Sequence, residues 1–76
     1  MNTEEKISRR EFSAHLKRRA PEGSDEWMFF NTAETNYELA ECLKNRGPKA
    51  NSARQKAVRA FNKGWALFLA RTSVKD

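Results

Sequence analysis

The stretch SARQKAVRAFNKGWALFLART, residues 52–72, decides how the rest of the chain is read. At 100° per residue, Ala57, Val58, Phe61, Trp65, Phe68 and Leu69 fall on one side, the stripe of a helix that faces a core. Ser52 and Gln55 have capping-box spacing, in which a Ser oxygen accepts an orphan amide proton and Gln reaches back to the cap amide. Pro48 and Asn51 precede them, so a helix is predicted over about residues 52–71. Lys56, Arg59 and Lys63 point away from the apolar stripe. Leu67 continues that polar line, where an apolar side chain has no internal partner. Gly64 costs about 1 kcal/mol relative to alanine inside a helix. Its presence requires either a close approach or a bend.

Upstream, Thr35 and Glu38 repeat the capping-box spacing and Gly47-Pro48 reads as a stop, which predicts a helix over about residues 33–45. Leu39, Cys42 and Leu43 form its inner face, and Glu34, Glu38 and Glu41 an acidic ridge. Before it stand Trp27, Met28, Phe29 and Phe30, a run that periodicity assigns to neither helix nor strand. Ser24 can cap, Asp25 and Glu26 suit a helix N-terminus, and a lone strand would have no pairing partner. A short helix near residues 24–31 is therefore expected. One face of so short an element cannot bury the whole run, so Met28 or Phe29 should be exposed. Ser8 and Glu11 open the first helix, about residues 8–19, whose pattern extends back to Thr3. Phe12, Leu16 and Ala20 are its inner stripe. Lys6, Arg10, Ser13 and Lys17 line the opposite side. Pro21 and Gly23 end it.

These elements predict an all-α fold, a small bundle of three main helices plus the short one, as a single domain over residues 1–76 with a frayed tail at 72–76. The expected core is Phe12, Leu16, Trp27, Phe30, Leu39, Leu43, Phe61, Trp65 and Phe68. A chain of 76 residues is small enough that its core gives only marginal stability. A single cysteine rules out an internal disulfide, and no Cys/His cluster has zinc-ligand spacing. No metal or cofactor is expected. The longest apolar run, Trp65 to Ala70, is six residues, far short of the roughly 20 of a membrane span. The first ten residues hold no hydrophobic stretch of a secretory signal, and a lone thiol suits a cytoplasmic setting.

Catalysis has little to build on. His15 and Cys42 are the one candidate nucleophilic pair, and nothing in the sequence brings them together or supplies a third orienting group. Cys42 reads as a small apolar residue. The three glycines form no phosphate-cradling pattern. A non-enzymatic protein is expected.

Charge carries more information. The net charge is +5, divided into +3 over residues 1–20, −6 over 21–42 and +8 over 43–76. Either the blocks neutralise one another in the fold, or they present separate faces to separate partners. Lys and Arg one turn apart on a helix can meet successive phosphates, and Arg can also read guanine or stack on bases. The nucleic-acid candidates are Lys49, Arg54, Lys56, Arg59 and Lys63, with a second group of Arg9, Arg10, Lys17, Arg18 and Arg19 on the first helix. The alternative is a protein-binding regulator or inhibitor, such as a phage or plasmid accessory factor. It would use Met28, Phe29, Glu34, Glu38, Glu41 and Leu67. Self-association as a homodimer is compatible with either. The segment Ala60-Phe61-Asn62-Lys63-Gly64-Trp65 resembles the Gly-Trp helix of ribosome modulation factors, small basic bacterial proteins that bind ribosomes. The resemblance covers those six residues and does not extend to the rest of the chain.

Overall fold

The computed structural model describes residues 7–73. They form three α-helices, α1 (Arg9–Arg19), α2 (Asp25–Cys42) and α3 (Gly47–Thr72). The chain is thus an all-α bundle, as its periodicity predicts. The expected backward extension of α1 to Thr3, the residue Lys6, and the end of the expected frayed tail at 74–76 lie outside the described residues.

The α1 start is set locally. Ser8 Oγ accepts from the Glu11 amide at 3.0 Å, and Glu11 Oε1 accepts from the Ser8 amide at 3.3 Å. Gly23, at φ +82°, turns the chain after Pro21. Ser24 Oγ then accepts from the Trp27 amide at 3.1 Å and opens α2.

From here the structure departs from the expected elements. The short helix at 24–31 and the helix at 33–45 are one continuous helix. Thr35 does not cap. Its Oγ1 donates to the Asn31 carbonyl at 2.9 Å, and Asn36 Nδ2 donates to the Thr32 carbonyl, also at 2.9 Å. Such bonds one turn back leave the backbone ladder intact. The helix closes earlier than Asn45, with the Lys44 and Asn45 amides donating to the Glu41 and Ala40 carbonyls, both at 2.8 Å. Lys44 and Asn45 take left-handed φ values of 57° and 55°, which recaptures carbonyls the helix end would leave open. Gly47-Pro48 is the start of α3 rather than a stop. A proline in the first turn loses no hydrogen bond, since that amide has no intrahelical acceptor. Ser52 and Gln55 are consequently interior residues of α3, not a cap.

α2 is the central helix and packs against both others. In its seam with α3, the α3 side is made of small residues. Ala50, Ala53, Ala57, Ala60 and Gly64 are buried on α3, facing Phe30, Ala33, Tyr37 and Ala40 on α2. Alternating spacings of three and four keep both rows in register, as in a coiled-coil seam. The reason for Gly64 is close approach: a Cβ there would lie 3.1 Å from two ring carbons of Phe30 and 3.2 Å from the Phe29 Cβ.

The large apolar stripe of α3 lies beside this seam and faces α1. Phe12 packs on Phe61 and Trp65 with ring centroids 5.7 and 6.3 Å apart, and Trp65 stacks on Phe68 at 5.2 Å. Of the expected core, Phe30 is fully enclosed and Leu16 is buried. Phe12, Trp27, Leu43, Phe61, Trp65 and Phe68 are half-buried. Leu39 is 48% exposed and Cys42 is exposed, against expectation. With α2 continuous from Asp25, the seam positions become 30, 33, 37 and 40, and both residues turn outward. Leu69, placed on the inner stripe by its sequence position, is 45% exposed. A core built on alanines leaves a thin molecule of 45 × 35 × 17 Å. No helix among the described residues is long and apolar enough to cross a membrane.

Candidate anion-binding groove between the first and third helices

The charge blocks meet inside the fold. Arg10 Nε contacts Glu41 at 2.9 Å and Lys17 Nζ contacts Glu34 at 2.7 Å, so the acidic ridge of α2 receives α1. Lys17 also donates to Asn31 Oδ1 at 3.1 Å and sits 5.6 Å from the Trp27 ring centre. Arg71, near the end of α3, grips the buried Glu26 through two bonds of 2.8 and 3.0 Å. The Nη2 that bonds Glu26 also donates to the Arg19 carbonyl at 3.3 Å. The hydrogen bond to Glu41, and then that carboxylate's charge, raises the Arg10 pKa. The hydrogen bond to Glu26 raises that of Arg71, with desolvation opposing. An arginine pKa raised on folding stabilises fully below its unfolded value and is lost only as pH rises through the folded one, at strongly alkaline pH. On the arginine side, both pairs hold through the neutral range.

This pairing corrects the reading of α1. The line Arg10, Ser13 and Lys17 is not a solvent face opposite the core but the face that α2 covers. Ser13 is fully buried there, its hydroxyl without a hydrogen-bond partner. Of the acidic residues proposed for partner contact, Glu34 and Glu41 are occupied within the chain, and Glu38 is exposed.

Arginines that meet no carboxylate among the described residues gather elsewhere. A groove of about 630 Å³ between the start of α1 and the first half of α3 is lined by Arg9, Tyr37, Asn51, Arg54, Gln55, Val58 and Arg59. Among the described residues, three guanidinium groups and no acid line it. Arg54 is held in place by Asn51, whose Oδ1 accepts from it at 2.9 Å. By contrast, the hollow on the far side of α1 mixes Arg10 and Arg18 with Glu11 and Glu34 and is balanced in charge. Converging cations without counter-charge create a positive potential that an anion relieves.

The groove draws Arg54 and Arg59 from the expected basic group of α3 and only Arg9 from that of α1. Lys49, Lys56 and Lys63, each exposed and seven residues apart, occupy the other flank of α3, away from α1. There Lys63 Nζ lies 5.7 Å from the ring centre of Phe29. That flank also adjoins the apolar residues proposed for protein contact. Met28 is 50% and Leu67 39% exposed, while Phe29 is half-buried beneath Lys63. Val58 belongs to the apolar stripe of α3, whereas Tyr37 stands out by no motif of its own. The seam spacing of 30, 33 and 37 places Tyr37 inward once α2 is taken as continuous.

No protein-family model matches the chain, and no curated protein or solved structure matches it. The likeness of residues 60–65 to ribosome modulation factors therefore gains no family support. Within this fold its Gly64 has a packing reason of its own.

Proposed function

We propose that the protein is a non-enzymatic accessory or regulatory factor that binds nucleic acid through the groove between α1 and α3. One observation carries the reading: among the described residues, Arg9, Arg54 and Arg59 line a single groove without a carboxylate, whereas Arg10, Lys17 and Arg71 are matched to glutamates. Selective neutralisation leaves the arginine-lined groove as the place for an external polyanion. Arginine suits phosphate because its planar fork gives paired hydrogen bonds. Lys49, Lys56 and Lys63 extend the positive field around α3 and assist encounter.

The test is binding of a fluorescent oligonucleotide at about 50 and 200 mM salt, where phosphate contacts weaken steeply. Arg54→Glu with Arg59→Glu is expected to abolish binding, while Lys56→Glu with Lys63→Glu weakens it modestly. Equal binding by the groove variant and wild type sinks the proposal.

A protein-binding regulator is the second reading, favoured by the exposed Met28, Leu39 and Leu67. It relocates the contact from the acidic ridge to the face of α2 and α3 turned away from α1.

A further inference from the structure

Beside the groove, next to Arg9, lies a recess of about 210 Å³ lined by Arg9, Phe12, Tyr37 and Phe61. Arg9 and Tyr37 line both spaces, so the aromatic recess adjoins the arginine-lined groove. The Phe12 and Phe61 rings are half-buried and stand 5.7 Å apart at 36°. They are not sealed into the core as Phe30 is. A site for phosphate alone would need no such aromatic recess.

We infer that the groove takes single-stranded nucleic acid, with phosphates between Arg54, Arg59 and Arg9 and one base seated in the recess against Phe12 and Phe61. This rests on the nucleic-acid reading above and narrows it to a substrate class. A paired duplex turns only base edges outward, so it has no ring face to place in the recess. Duplex recognition by a helix instead needs basic residues along an exposed crest that enters a major groove about 12 Å wide. Here the arginines lie on both sides of a concavity. A single strand offers an anionic backbone and a π-face on every base, the combination that basic grooves with aromatic platforms bind. Arg9, common to both spaces, sits where it can contact a phosphate or stack on the seated base.

The test uses the wild-type chain with four labelled probes at about 50 mM salt: short oligothymidylate, the same strand with abasic positions, a duplex of equal length, and polyglutamate. Unlabelled thymidine monophosphate serves as competitor. The inference predicts that oligothymidylate binds about ten- to hundredfold tighter than the abasic strand or the duplex. It also predicts that Phe12→Leu, with its helical circular dichroism intact, removes most of that difference while leaving abasic binding unchanged. Equal affinity for intact strand, abasic strand and duplex overturns the base-seating inference and leaves the phosphate reading standing. Competition by the mononucleotide at strand-like affinity overturns the strand as the ligand. Polyglutamate binding as tightly as the strand turns the groove into a site for acidic protein and overturns both. Absence of binding to any nucleic acid overturns both as well.

Discussion

Replacing Gly64 by alanine sets two effects of opposite sign against each other, and the structure says which wins. Alanine inside a helix is favoured over glycine by about 1 kcal/mol. If α3 were free on that side, Gly64→Ala would stabilise the protein by that amount. The new methyl, however, would stand 3.1 Å from the Phe30 ring and 3.2 Å from the Phe29 Cβ. Phe30 is fully enclosed and held edge-on to Phe61 at 5.5 Å and 71°, so its ring has nowhere to swing. The Phe29 Cβ moves only if α2 moves. Overpacking of this kind costs about 1–3 kcal/mol. The net effect is a loss of up to about 2 kcal/mol, and a domain of this size shifts its midpoint by about 4–8 °C per kcal/mol. Thermal and urea unfolding followed by far-UV circular dichroism reads it directly. Ala66→Gly, at an exposed position of the same helix, calibrates propensity alone and should cost about 1 kcal/mol. Gly64→Val should fall well below Gly64→Ala, since it adds two methyls. A gain of about 4–8 °C for Gly64→Ala would refute the close-packed seam.

Three further outcomes follow from burial and pairing. Leu39→Gln should change stability by no more than about 0.5 kcal/mol, because Leu39 is an exposed residue of α2; a loss of several kcal/mol in urea unfolding would restore it to the core. Ser13→Ala should leave stability unchanged or raise it by about 1 kcal/mol by removing an unpartnered buried hydroxyl, whereas a clear fall would reveal a bond the geometry lacks. Arg71→Met should lower the thermal midpoint more than Arg10→Met, since it strands the buried Glu26 carboxylate whereas Glu41 remains solvated; the reverse order would contradict the pairing.

What the sequence makes legible is what is local. The Ser8–Glu11 cap forms as its spacing dictates, because both partners lie within one turn. Thr35 and Glu38 show the same spacing and do not cap, because a threonine hydroxyl can also bond one turn back. The α2–α3 seam is obscured because alanines and a glycine weigh little in hydropathy, while Phe61, Trp65 and Phe68 on the adjoining face draw the eye. The one explicit clue was the glycine, unfavourable in a helix unless something lies close. In the candidate groove, Arg54 and Arg59 are legible as cations of α3, but their convergence with Arg9 is tertiary. Which bases of α1 are neutralised is written in spacing: Arg10 and Lys17 are seven apart, as are Glu34 and Glu41, and antiparallel helices match them in reverse order. Both glutamates already share the helix expected at 33–45; that their ridge faces α1 is tertiary.

The most direct test of the central claim is an amide-resolved NMR titration of the folded chain with a short single strand at about 50 and 200 mM salt. The account predicts salt-sensitive shifts at Arg9, Phe12, Tyr37, Arg54, Val58, Arg59 and Phe61, with Lys63 and the Met28 flank left quiet. Shifts centred on Lys49, Lys56, Lys63 and Met28, with the groove unmoved, would contradict it.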